Sequence, residues 1–140
     1  MAGRKNVGQQ AGKLGVTIKF YDWSDEKTRT EVGGYKRGVA VGENIMMAHV
    51  ELEAGAITAS HSHSYEEIIY VVRGRWQINL DGKTIELKTN QTLVIPPNAE
   101  HSSVALEATL AVVSTNYRPE WRENTDYWLH YKPEDHFWAV

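Results

Sequence analysis

An all-β domain, either a closed barrel or a double-sheet jelly roll, is the fold class this sequence predicts, on three observations. From Val39 to Ser114 the dominant period of the apolar residues is two, the repeat of a strand with one face buried. The β-branched and aromatic runs are of strand length and are separated by turn residues, foremost Asp81-Gly82, whose two positions suit the positive φ angles of a two-residue hairpin. With 140 residues and 41% apolar content the chain suffices for one domain with a buried core.

The elements follow in order. Residues 1–15 hold four glycines among polar side chains and read as a flexible arm; Arg4 and Lys5 have no hydrophobic region behind them, so this is not a signal peptide. The barrel is expected over 16–115. Tyr21 to Tyr35, with Asp22-Trp23-Ser24-Asp25, reads as a strand and turn at its edge. Val39 to Glu53 forms the first long strand run, followed by Ile68 to Val72, Trp76 to Leu80, Thr84 to Leu87, Thr92 to Ile95 and Thr109 to Ser114. Arg73-Gly74, Thr89-Asn90 and Pro96-Pro97-Asn98 punctuate them. The extension 116–140 carries Tyr117, Trp121, Tyr127, Trp128, Tyr131, Phe137 and Trp138, half of the chain's aromatics, a density suited to packing on the barrel or on a second subunit. A small strand-built barrel leaves edges for a partner to cover, so a homodimer is expected.

Composition excludes several classes. A net charge of −3 without runs of like charge gives no pull toward nucleic acid or an anionic membrane. No apolar stretch approaches the roughly 18 residues of a membrane span. Zero cysteine removes disulfides, thiolate metal sites and a cysteine nucleophile, and fits a cytoplasmic protein.

The chemistry concentrates between Gly55 and Gly74. On an extended chain alternate side chains share a face, so His61 and His63 point the same way, and a hairpin-like return brings Glu67 beside them. Glu66 is the rival carboxylate, but only one of the two can face the histidines, and parity favours Glu67. His101 follows the Pro/Asn turn at a strand start. Three imidazoles and a carboxylate suit one divalent first-row transition metal, which could be iron, manganese, nickel, zinc, cobalt or copper. Lone histidines are ordinarily core or surface residues, the reading taken for His49, His130 and His136. Met46 and Met47 read as core filling. Tyr65, Tyr70, Arg75, Trp76 and Gln77 are pocket candidates by proximity in sequence. Tyr65 shares the parity of Glu67 and is the first choice as a catalytic proton donor or substrate contact.

These residues resemble the cupins. The first cupin motif places a glycine, His-x-His, a glutamate and a second glycine where this chain has Gly55, His61, His63, Glu67 and Gly74. The second fits at Pro96 and His101, with Asn90, Asn98 and Ala105 where two glycines and an asparagine would stand; asparagine tolerates positive φ, so Asn90 and Asn98 are expected to keep the turns. The likeness covers roughly Val39 to Val113. It implies the jelly-roll barrel, with His61, His63, Glu67 and His101 as metal ligands.

The likeness also frames the function. The runs His61-Ser-His63, Tyr70-Val-Val-Arg-Gly74, Asp81-Gly-Lys83, Ile95 to His101 and Leu106-Glu-Ala108 are similar to the small cupins that linearise unsaturated uronates in pectin breakdown. Those enzymes have a glutamine where this chain has Glu67, and an aspartate and a phenylalanine where it has Val113 and Thr115. Glu67 matches the ligand set of the oxygenase-type cupins. The leading expectation is therefore a non-haem Fe(II) oxygenase acting on a small chelating substrate. The second is metal-assisted isomerisation or ring opening of a sugar-like molecule or uronate, and the third is a cupin that binds a small molecule without turning it over.

Overall fold

The sequence alternation folds as two antiparallel sheets laid face to face. A computed structural model describes residues 7–11 and 17–116, with side chains from residue 18 onward. A two-stranded ribbon pairs β1 (Val7–Ala11) with β2 (Thr17–Tyr21). The barrel strands are β3 (Thr30–Val32), β4 (Tyr35–Val41), β5 (Ile45–Leu52), β6 (Ile57–His61), β7 (Glu67–Arg73), β8 (Arg75–Leu80), β9 (Lys83–Lys88), β10 (Gln91–Ile95), β11 (His101–Ala105) and β12 (Thr109–Asn116). One sheet runs β10-β7-β12-β5-β4-β3 and the other β6-β11-β8-β9. From β5 to β8 and again from β9 to β12, each step in the chain crosses from one sheet to the other. That crossing makes a jelly roll, as expected from the sequence. No helix among the described residues is long and apolar enough to cross a membrane.

The core lies between the sheets and is built from every second residue. Val50, Val71, Ala111 and Ile95 of the larger sheet meet Trp76, Ile78, Leu87 and Ala105 of the smaller. Their outward neighbours Ile68, Tyr70, Val72 and Val94 stay exposed. Fully burying one such aliphatic side chain is worth about 1.5–3 kcal/mol, so the two inner faces dominate the stability of the barrel.

The turns follow residue chemistry. Asp81 (φ 51°) and Gly82 (φ 77°) both take positive φ, the requirement of the two-residue hairpin read from the sequence. Asn90 (φ 69°) and Asn98 (φ 66°) adopt the left-handed conformation in place of glycine. Gly74 (φ 114°) has no such substitute: a Cβ there would lie 2.6 Å from the Ala108 carbonyl oxygen and 2.7 Å from Thr109 Cα.

Some boundaries differ from the sequence expectation. Val39 to Glu53 is two strands rather than one. The chain turns at Gly42-Glu43-Asn44, closed by a bond of 2.9 Å from Gly42 N to Ile45 O, and the inward residues change from odd numbers (Val39, Val41) to even ones (Met46, Ala48, Val50, Leu52). That change of parity was visible in the sequence. Within 1–15, Val7–Ala11 pairs with Thr17–Tyr21. The edge element read at Tyr21 to Tyr35 ends in β3, the terminal strand of its sheet. Trp23 folds back over Gly38, where there is no Cβ to block it, and stacks on His49 at a centroid separation of 5.5 Å. The aromatic extension lies outside the described residues from 117 onward.

Candidate metal centre

Three strand ends and one loop bring the candidate ligands together. His61 closes β6 and His101 opens β11, and the two stand opposite each other in the antiparallel register with ring centroids 4.2 Å apart. His63 lies just past β6, in the connection to β7, and its ring centroid is 4.9 Å from that of His101. The ligand atoms of the three histidines lie within 4.8 Å of one another. Glu67 begins β7, opposite Ile95 and Thr115. Its Oε1 lies 3.1 Å from His63 Nε2 and 3.2 Å from His101 Nε2. Glu66 points the other way, into solvent, as strand alternation requires.

The backbone holds all three rings in one sense. His61 Nδ1 donates to the Ala59 carbonyl at 2.7 Å, His63 Nδ1 to that of Tyr65 at 2.8 Å, and His101 Nδ1 to that of Ala99 at 2.8 Å. A carbonyl can only accept, so each Nδ1 carries a proton, and Nε2 is the nitrogen that can ligate once it gives up any proton it shares with Glu67. Asn98, in its left-handed turn, donates its backbone N–H to the His63 carbonyl at 2.7 Å, tying the two motif loops together. These partners are main-chain atoms, which is why the sequence could not reveal them.

Electrostatics prepares the same set. Burial disfavours the charged form of Glu67, but hydrogen bonding and charge from His101 and His63 outweigh it and hold the carboxyl at about 2. Burial lowers the His61 pKa, and the neighbouring His101 and His63 add to that. For His101 burial also opposes protonation, yet Glu67 and the Ala99 carbonyl more than compensate and its pKa rises. The site therefore sets an ionised carboxylate beside three imidazoles whose Nδ1 protons are held by the main chain. Oriented Nε2 atoms beside an ionised carboxylate fit a divalent first-row cation, and His61, His63 and His101 form a cluster that could hold one.

The remaining candidates separate by strand face. Tyr65 is buried and stacks flat on His63, with centroids 4.1 Å apart and planes 8° from parallel, so its ring and its carbonyl both set the pose of that imidazole. Trp76 is buried on the inner face of β8. Tyr70 points outward to Asn90 Oδ1 at 2.9 Å, and Arg75 pairs with Glu86 and Glu107 on the outside. Gln77 shares the outward parity of Arg75. His49 sits under Trp23, away from the cluster.

Sequence reasoning missed the hydroxyl groups beneath the histidines. Tyr35, Thr58 and Ser103 line the same interior cavity as His61, His101 and Glu67. Ser103 shares the parity of His101 and could have been found. Thr58 could not, because a bulge between the His101–His61 and Ser103–Thr58 pairs puts Thr58 and His61 on one face at an odd spacing.

Comparison with known proteins agrees with this fold. The family described as Cupin domain matches residues 48–114. The pectin degradation protein KdgF of Dickeya dadantii is 31% identical over 101 residues, which span 70% of this chain and 92% of that protein. Among solved structures, KdgF from Halomonas sp. superposes with a TM-score of 0.61 at 28% identity, covering 66% of this chain and 89% of that one. An RmlC-like cupin from Shewanella frigidimarina gives a TM-score of 0.59 at 21% identity, over 66% of this chain and 96% of that one. With both histidine motifs converging inside a jelly roll and a relative matched over nearly its whole length, the chain belongs to the cupin family.

Proposed function

We propose that the chain is a metal-dependent enzyme acting on a small oxygen-bearing substrate that chelates the ion held by His61, His63, His101 and Glu67, with an Fe(II) oxygenase-type reaction as the leading reading. The observation that carries it is the wall beside the ligands. Val113 is buried and lines the cavity. Uronate-linearising cupins have an aspartate there, and a valine can neither give nor take a proton. Glu67, held ionised, adds a negative charge to the ligand set, which would stabilise a higher oxidation state of a bound iron, as an oxygenase reaction needs. The chemistry supplied at these ligands would be Lewis acidity and, with iron, electron exchange with dioxygen. The protein's own part is to hold three imidazoles by their Nδ1 protons, to exclude bulk water with Ile69, Ile78 and Val113, and to present a narrow cavity.

A second reading, metal-assisted isomerisation or ring opening of a uronate, is favoured by the match to a pectin degradation protein across 92% of its length. One assay separates the two. Anaerobic protein reconstituted with Fe(II) is mixed with catechols, 1,3-diketones and unsaturated uronates while dioxygen is recorded. Oxygen consumption that depends on one of these compounds is the expected result. Conversion of a uronate without oxygen uptake would replace the leading reading with the second.

A further inference from the structure

Beneath the histidines is a cavity of about 30 Å³, too small for a substrate but larger than the roughly 10–15 Å³ one water needs. Its wall is mostly apolar but carries three hydroxyl side chains, Tyr35, Thr58 and Ser103. Thr58 and Ser103 are buried and their hydroxyls bond to each other across the β6–β11 pair. Both also hydrogen-bond the hydroxyl of Tyr35, which reaches in from the opposite sheet and is 4% exposed. Trp76, likewise 4% exposed, lines the same space, and its Nε1–H has no hydrogen-bond partner among the described residues. Leaving a buried indole N–H without an acceptor is unfavourable, so a group that accepts from it is expected.

The wall's chemistry narrows what that group is. Trp76 can only donate, whereas the three hydroxyls can donate or accept. The Glu67 carboxylate on the opposite side disfavours a second anion. We propose that Tyr35, Thr58, Ser103 and Trp76 form a subsite for a single neutral oxygen, filled by water in the resting protein and by a hydroxyl or carbonyl oxygen of the substrate when one chelates above it. The water-filled form stands on the cavity alone; the substrate-filled form rests on the function proposed above. In its substrate-filled form the subsite selects substrates with an uncharged oxygen next to their metal-binding pair.

The test is solution NMR on the full ¹⁵N-labelled chain, metal-free and zinc-loaded, reading magnetisation transfer from water to the indole N–H of Trp76. Trp76→Phe assigns that signal. The expected result is a water cross-peak in both forms that falls at least about threefold in the near-isosteric Thr58→Val/Ser103→Ala double variant, with zinc stoichiometry unchanged. Catechol, acetylacetone and galacturonate are then added to the zinc form. Loss of the water cross-peak with a shift of the indole signal identifies a substrate oxygen as the occupant, whereas retention with every probe supports the water-filled form and overturns the substrate-filled one. Absence of any water cross-peak together with no shift on adding the probes would overturn it, as would a cross-peak indifferent to the double variant. If zinc failed to bind while the cross-peak behaved as expected, the metal reading would fall and the subsite would stand.

Discussion

At the scale of single residues, Glu67 carries the largest perturbation. Its folded pKa of about 2 lies below the ordinary 4.5, so in the metal-free chain its contribution to stability is complete above about pH 4.5 and is lost as the pH falls toward 2. His101, whose pKa is raised, behaves in the opposite sense: its contribution is complete in acid and is lost as the pH climbs through its folded value. Chemical denaturation of the metal-free protein should therefore show stability falling on both sides of a mildly acidic window, and Glu67→Gln should flatten both limbs. The same substitution should keep the fold and weaken metal binding by at least about tenfold. Unchanged metal affinity would remove Glu67 from the ligand set. Its place beside the histidines was legible because strand parity chooses between Glu66 and Glu67, and the structure turns only Glu67 toward them.

At the scale of elements, the turns determine whether the ligands meet. Asn98 holds φ 66° while its N–H bonds the His63 carbonyl. Asn98→Gly should be tolerated, whereas Asn98→Val should cost about 1–2 kcal/mol for the left-handed backbone and loosen metal binding through His63. Thermal melts together with a metal titration check both expectations. Gly74→Ala should be harsher, because φ 114° is closed to a side chain and the added methyl meets the Ala108 carbonyl and Thr109 backbone. A loss of several kcal/mol is expected in denaturant titration, and a fully stable variant would show that the β7–β8 turn relaxes freely. Turn chemistry was readable because glycine and asparagine encode positive φ locally. The β6 bulge was not, since it arises from pairing with β11, and it concealed Thr58.

For the whole molecule, the sequence delivered the two-faced strands and therefore the jelly roll, because residues such as Ile69, Val71 and Ile78 alternate with polar or exposed neighbours. It could not say how the sheets cross, and that crossing brings Tyr35 of one sheet to Ser103 of the other. On the outside, Ile68, Tyr70, Val72 and Val94 form an exposed apolar surface on adjacent strands β7 and β10. We propose that a second copy of the chain covers it. Sedimentation should then give a dimer, and Ile68→Glu with Val94→Glu should give a monomer that still binds metal; a wild-type monomer at all concentrations would exclude this arrangement.

The central claim is that His61, His63, His101 and Glu67 form one metal centre, and elemental analysis of protein purified without chelators or a histidine tag tests it most directly. About one equivalent of a first-row metal per chain, largely lost in His61→Ala and His101→Ala proteins that remain folded, is the predicted result. A folded wild-type chain that carries no metal and takes up neither Fe(II) nor Zn(II), or one whose metal survives both substitutions, would contradict it.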